Sequence, residues 1–187
     1  MMRLHRRSLV MAVLSFSKVL SPIACDFLVE LFENDVENHE RIENESKPTF
    51  TQLNVNKHHG KLIPELISSF QNALKLYKED VPSAQYLPEV QFLEEFRIKK
   101  YEIGGIDRFD EHVDISDHSS AKRALSMLFY LNDVEEGGST IFPYHDLNIR
   151  PKRGKVVVFP PTWEYPHLGE PPISTPKYVM STYLHYQ

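Results

Sequence analysis

Apolar positions along the chain change their spacing near its middle. Between Pro22 and Glu33, Ile23, Phe27, Leu28, Leu31 and Phe32 recur on one helical face, and Ser21-Pro22 supplies an N-cap and a first helical position. A second helix is predicted from Leu62 to Glu79, with Leu66, Ile67, Phe70, Ala73, Leu74 and Tyr77 as its buried stripe and Pro82 past its end. Val10 to Phe16 reads as a short strand, whereas Asn34 to Lys57 is polar, without period, and reads as a surface loop. From Val90 onward the pattern is short and β-like: Val90–Glu102, Ala124–Leu131, Ser139–Phe142, Lys155–Phe159 and Tyr178–Tyr186, separated by Gly, Pro or Asp clusters. Two helices followed by seven or eight short strands predict an α+β chain, with helices packed outside a β-sandwich or jelly roll.

Composition narrows the function. The 187 residues suit one domain, and no apolar run approaches the ~18 residues of a membrane span. A net charge of −5 supplies no basic field for general nucleic-acid binding, and one cysteine, Cys25, excludes an internal disulfide or a multi-Cys zinc site. Cys25 itself reads as a buried packing residue. Nine histidines leave room for a metal site. His58, His59 and His118 read as solvated loop residues.

Arg3, Arg6 and Arg7 followed by apolar residues give the amino terminus the look of a secretory signal. Ser15, Ser17 and Lys18 interrupt that apolar stretch, and Pro22 sits where a lipobox wants an aliphatic residue, so a cytoplasmic location is expected. The Asn44-Glu45-Ser46 sequon then carries no glycan.

The chemistry begins at Phe109-Asp-Glu-His-Val-Asp. On a strand, His112 and Asp114 point to one side, so imidazole and carboxylate can converge on one ion. By itself the pair also fits an exposed loop. His167 lies 55 positions later, and two His plus one Asp make a facial triad that leaves adjacent positions open on an octahedral metal, the arrangement suited to non-haem Fe(II). Zinc could use the same ligands. In the last strand Lys177, Val179, Ser181, Tyr183 and His185 share one face, and both faces are largely apolar or aromatic. A buried Lys177 ammonium requires an anionic partner, which a dicarboxylate supplies; the alternative is a lysine exposed at the strand start. Ser126, Leu128 and Tyr130 share a face, giving two hydroxyls within reach of the same carboxylate, although Tyr130 also fits an ordinary core position.

The chain from about Val19 to His185 resembles the Fe(II)- and 2-oxoglutarate-dependent dioxygenases of the prolyl 4-hydroxylase type. The resemblance rests on Leu20-Ser-Pro-Ile-Ala-Cys-Asp-Phe-Leu, Phe-x-x-His-x-Asp ending at Asp114, Tyr-Leu-Asn-Asp-Val-Glu-Glu-Gly-Gly-x-Thr-x-Phe-Pro from Tyr130, His-x-Gly at His167, and a lysine ten residues after that histidine, in this order. It implies a double-stranded β-helix (jelly roll) with N-terminal helices packed on one sheet, a single domain over 1–187 with a helical part at about 10–82 and a jelly-roll core at about 88–187. It implies His112, Asp114 and His167 as iron ligands, and Lys177 as partner of the distal carboxylate of 2-oxoglutarate, assisted by Ser126 and Tyr130. Tyr101 matches a further cosubstrate tyrosine, with two extra residues before His112. Arg123, Tyr183 and His185 fall where family members contact peptide substrate, Tyr183 in place of the more usual Trp. Trp163 reads as a loop anchor over the barrel mouth and is grouped with them.

The activity so implied is hydroxylation of a prolyl residue in a peptide or protein, using O2 and decarboxylating 2-oxoglutarate to succinate and CO2, with ascorbate as the expected auxiliary reductant. The carboxylate at position 114 argues against the halogenase variant of the chemistry. Hydroxylation of another side chain or a small molecule, or ligand binding without turnover, are the alternatives. No nucleic-acid or membrane partner is expected.

Overall fold

The computed structural model describes residues 12–44, 48–89 and 92–186. Val10, most of the sequon (Glu45 and Ser46), Val90 and the basic start of the chain lie outside the described residues.

The chain opens with β1 (Leu14–Phe16) and helix α1 (Pro22–Asn34). The Ser21 Oγ accepts from the Ala24 N–H at 3.1 Å, and Pro22 occupies the first turn, where a missing N–H costs nothing. The predicted loop between the helices is the main departure from expectation. Residues Glu40–Glu43 and Thr49–Asn54 pair as strands β2 and β3, and Val55–His58 forms a short helix, α2. Polar side chains hide this hairpin from a hydropathy pattern, because their partners satisfy them: Gln52 donates to Glu40 at 2.9 Å and Asn54 to Glu95 at 3.0 Å. His59, read as a solvated loop residue, instead meets the Asp35 carboxylate at 2.7 Å.

Helix α3 (Ile63–Asp80) buries Leu66, Phe70, Ala73, Leu74 and Tyr77, the predicted stripe, with Ile67 partly buried. Then follow β4 (Phe92–Leu93), β5 (Arg97–Tyr101), β6 (Phe109–His112), β7 (Arg123–Tyr130), β8 (Thr140–Phe142), β9 (Leu147–Ile149), β10 (Val156–Phe159), β11 (His167–Gly169) and β12 (Lys177–His185). Strands β6, β9 and β11, of three or four residues each, were not among the predicted segments, although a strand setting was anticipated for His112.

The strands build two antiparallel sheets. The larger runs β1-β10-β7-β12-β5-β3-β2, with β4 beside β12; the smaller runs β6-β11-β8-β9. This is a jelly roll with helices on one face of the larger sheet. Parity along β12 sorts the core. Tyr178, Met180 and Leu184 face Leu28, Phe32, Phe70 and Leu74 of the helices, while Val179 joins Tyr101, Tyr130, Phe142 and Phe159 between the sheets. Cys25 is fully buried in the helical layer.

The loop from β5 to β6 is held from outside. Arg41 on β2 makes a bidentate pair with buried Asp107 at 3.0 and 2.6 Å, and Asp107 also accepts the Glu102 N–H at 2.9 Å. The turn before β8 requires glycine: Gly137 has φ +70°, and a Cβ there would lie 2.5 Å from the Pro171 carbonyl.

Candidate active site

The antiparallel register of β6 and β11 sets His112 directly opposite His167. Asp114 follows two residues beyond the end of β6, and the ligating atoms of all three lie within 4.8 Å of one another. His112 Nδ1 donates to the Asp110 carbonyl at 2.8 Å and His167 Nδ1 to the Tyr165 carbonyl at 3.1 Å. A carbonyl can only accept, so each ring carries a proton on Nδ1 and turns Nε2 toward Asp114. Those Nε2 atoms stand 3.6 and 3.8 Å from the carboxylate oxygens.

The surroundings hold the ligands in the states a metal needs. Phe109 stacks on His112 at 3.5 Å, and Phe142 and Phe159 wall in His167 at 5.3 and 4.8 Å. Burial pushes His167 below the usual imidazole range despite the neighbouring Asp114, which favours the neutral, ligating form. Burial alone would raise the Asp114 carboxyl. The imidazoles and the Tyr183 hydroxyl, which donates to Oδ1 at 3.0 Å, outweigh it and hold the group well below the carboxylate range. Asp114 Oδ2 is buried without a hydrogen-bond partner among the described residues. Two imidazole nitrogens and an orphaned carboxylate oxygen converging on one point fit a divalent cation.

Lys177, at the start of β12, is 3% exposed and faces the same cleft, which Tyr101, Phe109, Leu128, Thr140, Gly169 and Val179 also line. Register places Tyr101 opposite Lys177, and the ammonium lies 5.2 Å from the Tyr101 ring and 5.7 Å from that of Tyr130. Burial pushes its pKa down to about 7, only partly offset by the charge of Glu170. No carboxylate reaches it within 4 Å among the described residues, so a dicarboxylate cosubstrate fits here as its counter-ion.

The remaining sequence candidates divide. Tyr130 is buried and donates to Thr140 Oγ1 at 2.7 Å rather than lining the cleft. Ser126 is buried with an unpartnered Oγ and is not among the lining residues. Arg123 is tied to Glu94 at 2.6 Å, donates to the Asp114 carbonyl at 2.6 Å, and stacks 3.9 Å over the Tyr183 ring, so it braces the metal carboxylate from behind. His185 meets Glu94 at 3.1 Å and does not line the cleft, and Trp163 is 78% exposed on a loop outside it. Among the cleft residues that sequence reasoning missed, two carry polar side chains. Thr140 lay within the quoted Gly-Gly-x-Thr motif, and Lys99 shares the inward parity of Tyr101 two positions on.

Residues 96–185 match the 2OG-Fe(II) oxygenase superfamily model. Among curated relatives, a probable prolyl 4-hydroxylase 9 of Arabidopsis thaliana is 30% identical over 107 residues, 46% of this chain and 36% of its own length. The chain thus spans little more than a third of that relative. Likeness of fold extends further. The viral collagen prolyl hydroxylase of Paramecium Bursaria Chlorella virus-1, solved as a 2OG complex, aligns over 95% of this chain and 97% of its own at TM-score 0.69 and 21% identity. A Trichoplax adhaerens prolyl hydroxylase, solved with a hypoxia inducible factor peptide fragment, aligns over 93% and 83% at TM-score 0.72 and 12% identity.

Proposed function

We propose that the protein is an Fe(II)- and 2-oxoglutarate-dependent dioxygenase that hydroxylates a prolyl residue in a peptide or protein. One observation carries the reading: a His112, Asp114, His167 cluster with an orphaned carboxylate oxygen shares its cleft with Lys177, a buried ammonium with no carboxylate within 4 Å among the described residues. The relatives, all prolyl hydroxylases by name, support proline as the target, and the peptide bound in the Trichoplax structure supports a peptide substrate.

His112, Asp114 and His167 would hold the iron, which with 2-oxoglutarate and O2 supplies the oxidising chemistry. Lys177 would bind the far carboxylate of the cosubstrate by a charge-assisted bond and so orient it toward the triad. Tyr183 fixes Asp114 through Oδ1 and leaves Oδ2 to ligate. The phenyl rings around His167 exclude water from the ligand side. Ascorbate would serve as the reductant that keeps iron ferrous.

The test is anaerobic titration with Fe(II) and 2-oxoglutarate, followed by aerobic assay with proline-containing peptides, with and without ascorbate. A visible charge-transfer band, followed by equal yields of succinate and hydroxyproline, is the expected result. Succinate without hydroxyproline across the peptide panel would move the target to another side chain. Iron binding with no band would remove 2-oxoglutarate from the reading.

A further inference from the structure

The cleft holds a second ammonium for which the proposed chemistry has no use. Strand β5 carries three basic side chains, and two are committed: Arg97 to Glu95, and Lys100 to Glu33 and Glu102 at 2.9 and 2.8 Å. Lys99 between them turns inward. Its cross-strand neighbours are Gln52 and Val179, neither of them acidic, and its ammonium lies 5.1 Å over the Phe50 ring. Among the described residues no carboxylate lies within ion-pair distance of it.

Position along the sheet separates Lys99 from Lys177. Lys177 and Tyr101 form one register pair at the deep end, and Val179 and Lys99 form a pair two residues nearer Tyr183 and Asp114. Lys177 is buried, whereas Lys99 is partly exposed at the cleft. The charges that act on Lys99 are those of Asp114, Arg97, Arg123 and Glu94. Burial lowers its pKa to about 8, which leaves it mostly protonated at neutral pH. A divalent ion and two ammonium groups also exceed the combined charge of Asp114 and a dicarboxylate by one, so the loaded cleft retains one uncompensated positive charge.

We propose that Lys99 determines substrate specificity by pairing with a carboxylate that the substrate carries beside the residue to be hydroxylated. The preferred substrate is then an acidic peptide, with Glu or Asp flanking the target. This inference rests on the proposed oxygenase reading, and the alternative source of the carboxylate, the near end of the cosubstrate, is separated by measuring its binding directly.

The experiment uses the full chain loaded anaerobically with Mn(II) and 2-oxoglutarate, and titrates three peptides calorimetrically. Each has a central proline, flanked on both sides by Glu, by Gln or by Lys. The wild type is expected to bind the Glu peptide about tenfold tighter than the Gln peptide and the Lys peptide more weakly still. Lys99→Met should equalise the Glu and Gln peptides with 2-oxoglutarate affinity unchanged, and Lys99→Glu should invert the order in favour of Lys. Equal binding of the Glu and Gln peptides by the wild type, or no binding of any peptide by the loaded protein, overturns the inference and leaves the oxygenase centre standing. A tenfold loss of 2-oxoglutarate affinity in Lys99→Met with the peptide order intact overturns it in favour of the cosubstrate. Failure of 2-oxoglutarate to load the wild type overturns the proposed function and this inference with it.

Discussion

Replacing Lys177 with methionine should make the ligand-free protein more stable and its cosubstrate complex weaker. The ammonium is 3% exposed and lies 5.2 and 5.7 Å from the Tyr101 and Tyr130 rings. With a pKa lowered from 10.5 to about 7, keeping the charge buried at pH 7 costs about 4 kcal/mol relative to an unfolded lysine. Methionine fills similar volume without the charge. Allowing for the ring contacts and the field of Glu170, about 2 kcal/mol should be recovered, which for a chain of this size raises Tm by about 6 °C. The sign of the pH dependence follows. Between pH 7 and 10.5 the unfolded lysine binds more protons than the folded one, so wild-type stability gains from Lys177 as pH rises through that window, and the variant lacks this slope. Loss of the anchor should weaken 2-oxoglutarate about 100-fold. At a concentration 100 times the wild-type Kd, the ligand then adds about 2.7 kcal/mol to the wild type and about 0.4 to the variant, which closes the gap. Thermal melts with Mn(II), with and without 2-oxoglutarate, read both effects. A ligand-free variant that melts at or below the wild type would refute the uncompensated ammonium, and an undiminished ligand shift would refute the anchor.

Three further outcomes follow from the same contacts. His112→Ala should abolish Fe(II) binding, read as metal content after dialysis, while shifting the metal-free Tm by no more than about 2 °C, because the ring is partly exposed and its loss empties no core. Ser126→Ala removes a buried, unpartnered hydroxyl, so stability should hold or rise by up to about 1 kcal/mol and 2-oxoglutarate affinity should not change; a tenfold loss of affinity by calorimetry would instead put Ser126 on the cosubstrate. Asp107→Asn should lower stability by about 2 kcal/mol in urea, because it leaves Arg41 without its bidentate partner.

What the sequence made legible, and what it hid, follows from how each element satisfies its polar groups. The stripe of α3 and the two-faced apolar strands β7, β10 and β12 read directly, because burial there is done by hydrocarbon; on α1 Leu28 and Phe32 are buried as read, but Ile23 and Phe27 are exposed and Cys25 takes their place inside. Strand β3 did not, since Gln52 and Asn54 are buried against the carboxylates of Glu40 and Glu95, and such partners are far away in sequence. Strands β6 and β11 are too short to show a period, so their ligands were visible only as a spaced motif. Lys99 lies in Arg-Ile-Lys-Lys-Tyr, whose three basic side chains look alike by charge, and the alternation of the strand separates two of them, sending Lys100 to Glu33 and Lys99 into the cleft.

The hairpin that the hydropathy pattern concealed also finishes the larger sheet. Its outermost strand, Glu-Arg-Ile-Glu, has no second strand beside it among the described residues, the kind of edge on which a foreign strand can grow. Exposed Glu40 and Glu43 would bring negative charge to any incoming strand, and Arg41 is drawn aside by Asp107. The edge is thereby a poor template for aggregation, and neutralising Glu40 and Glu43 is the change that would open it.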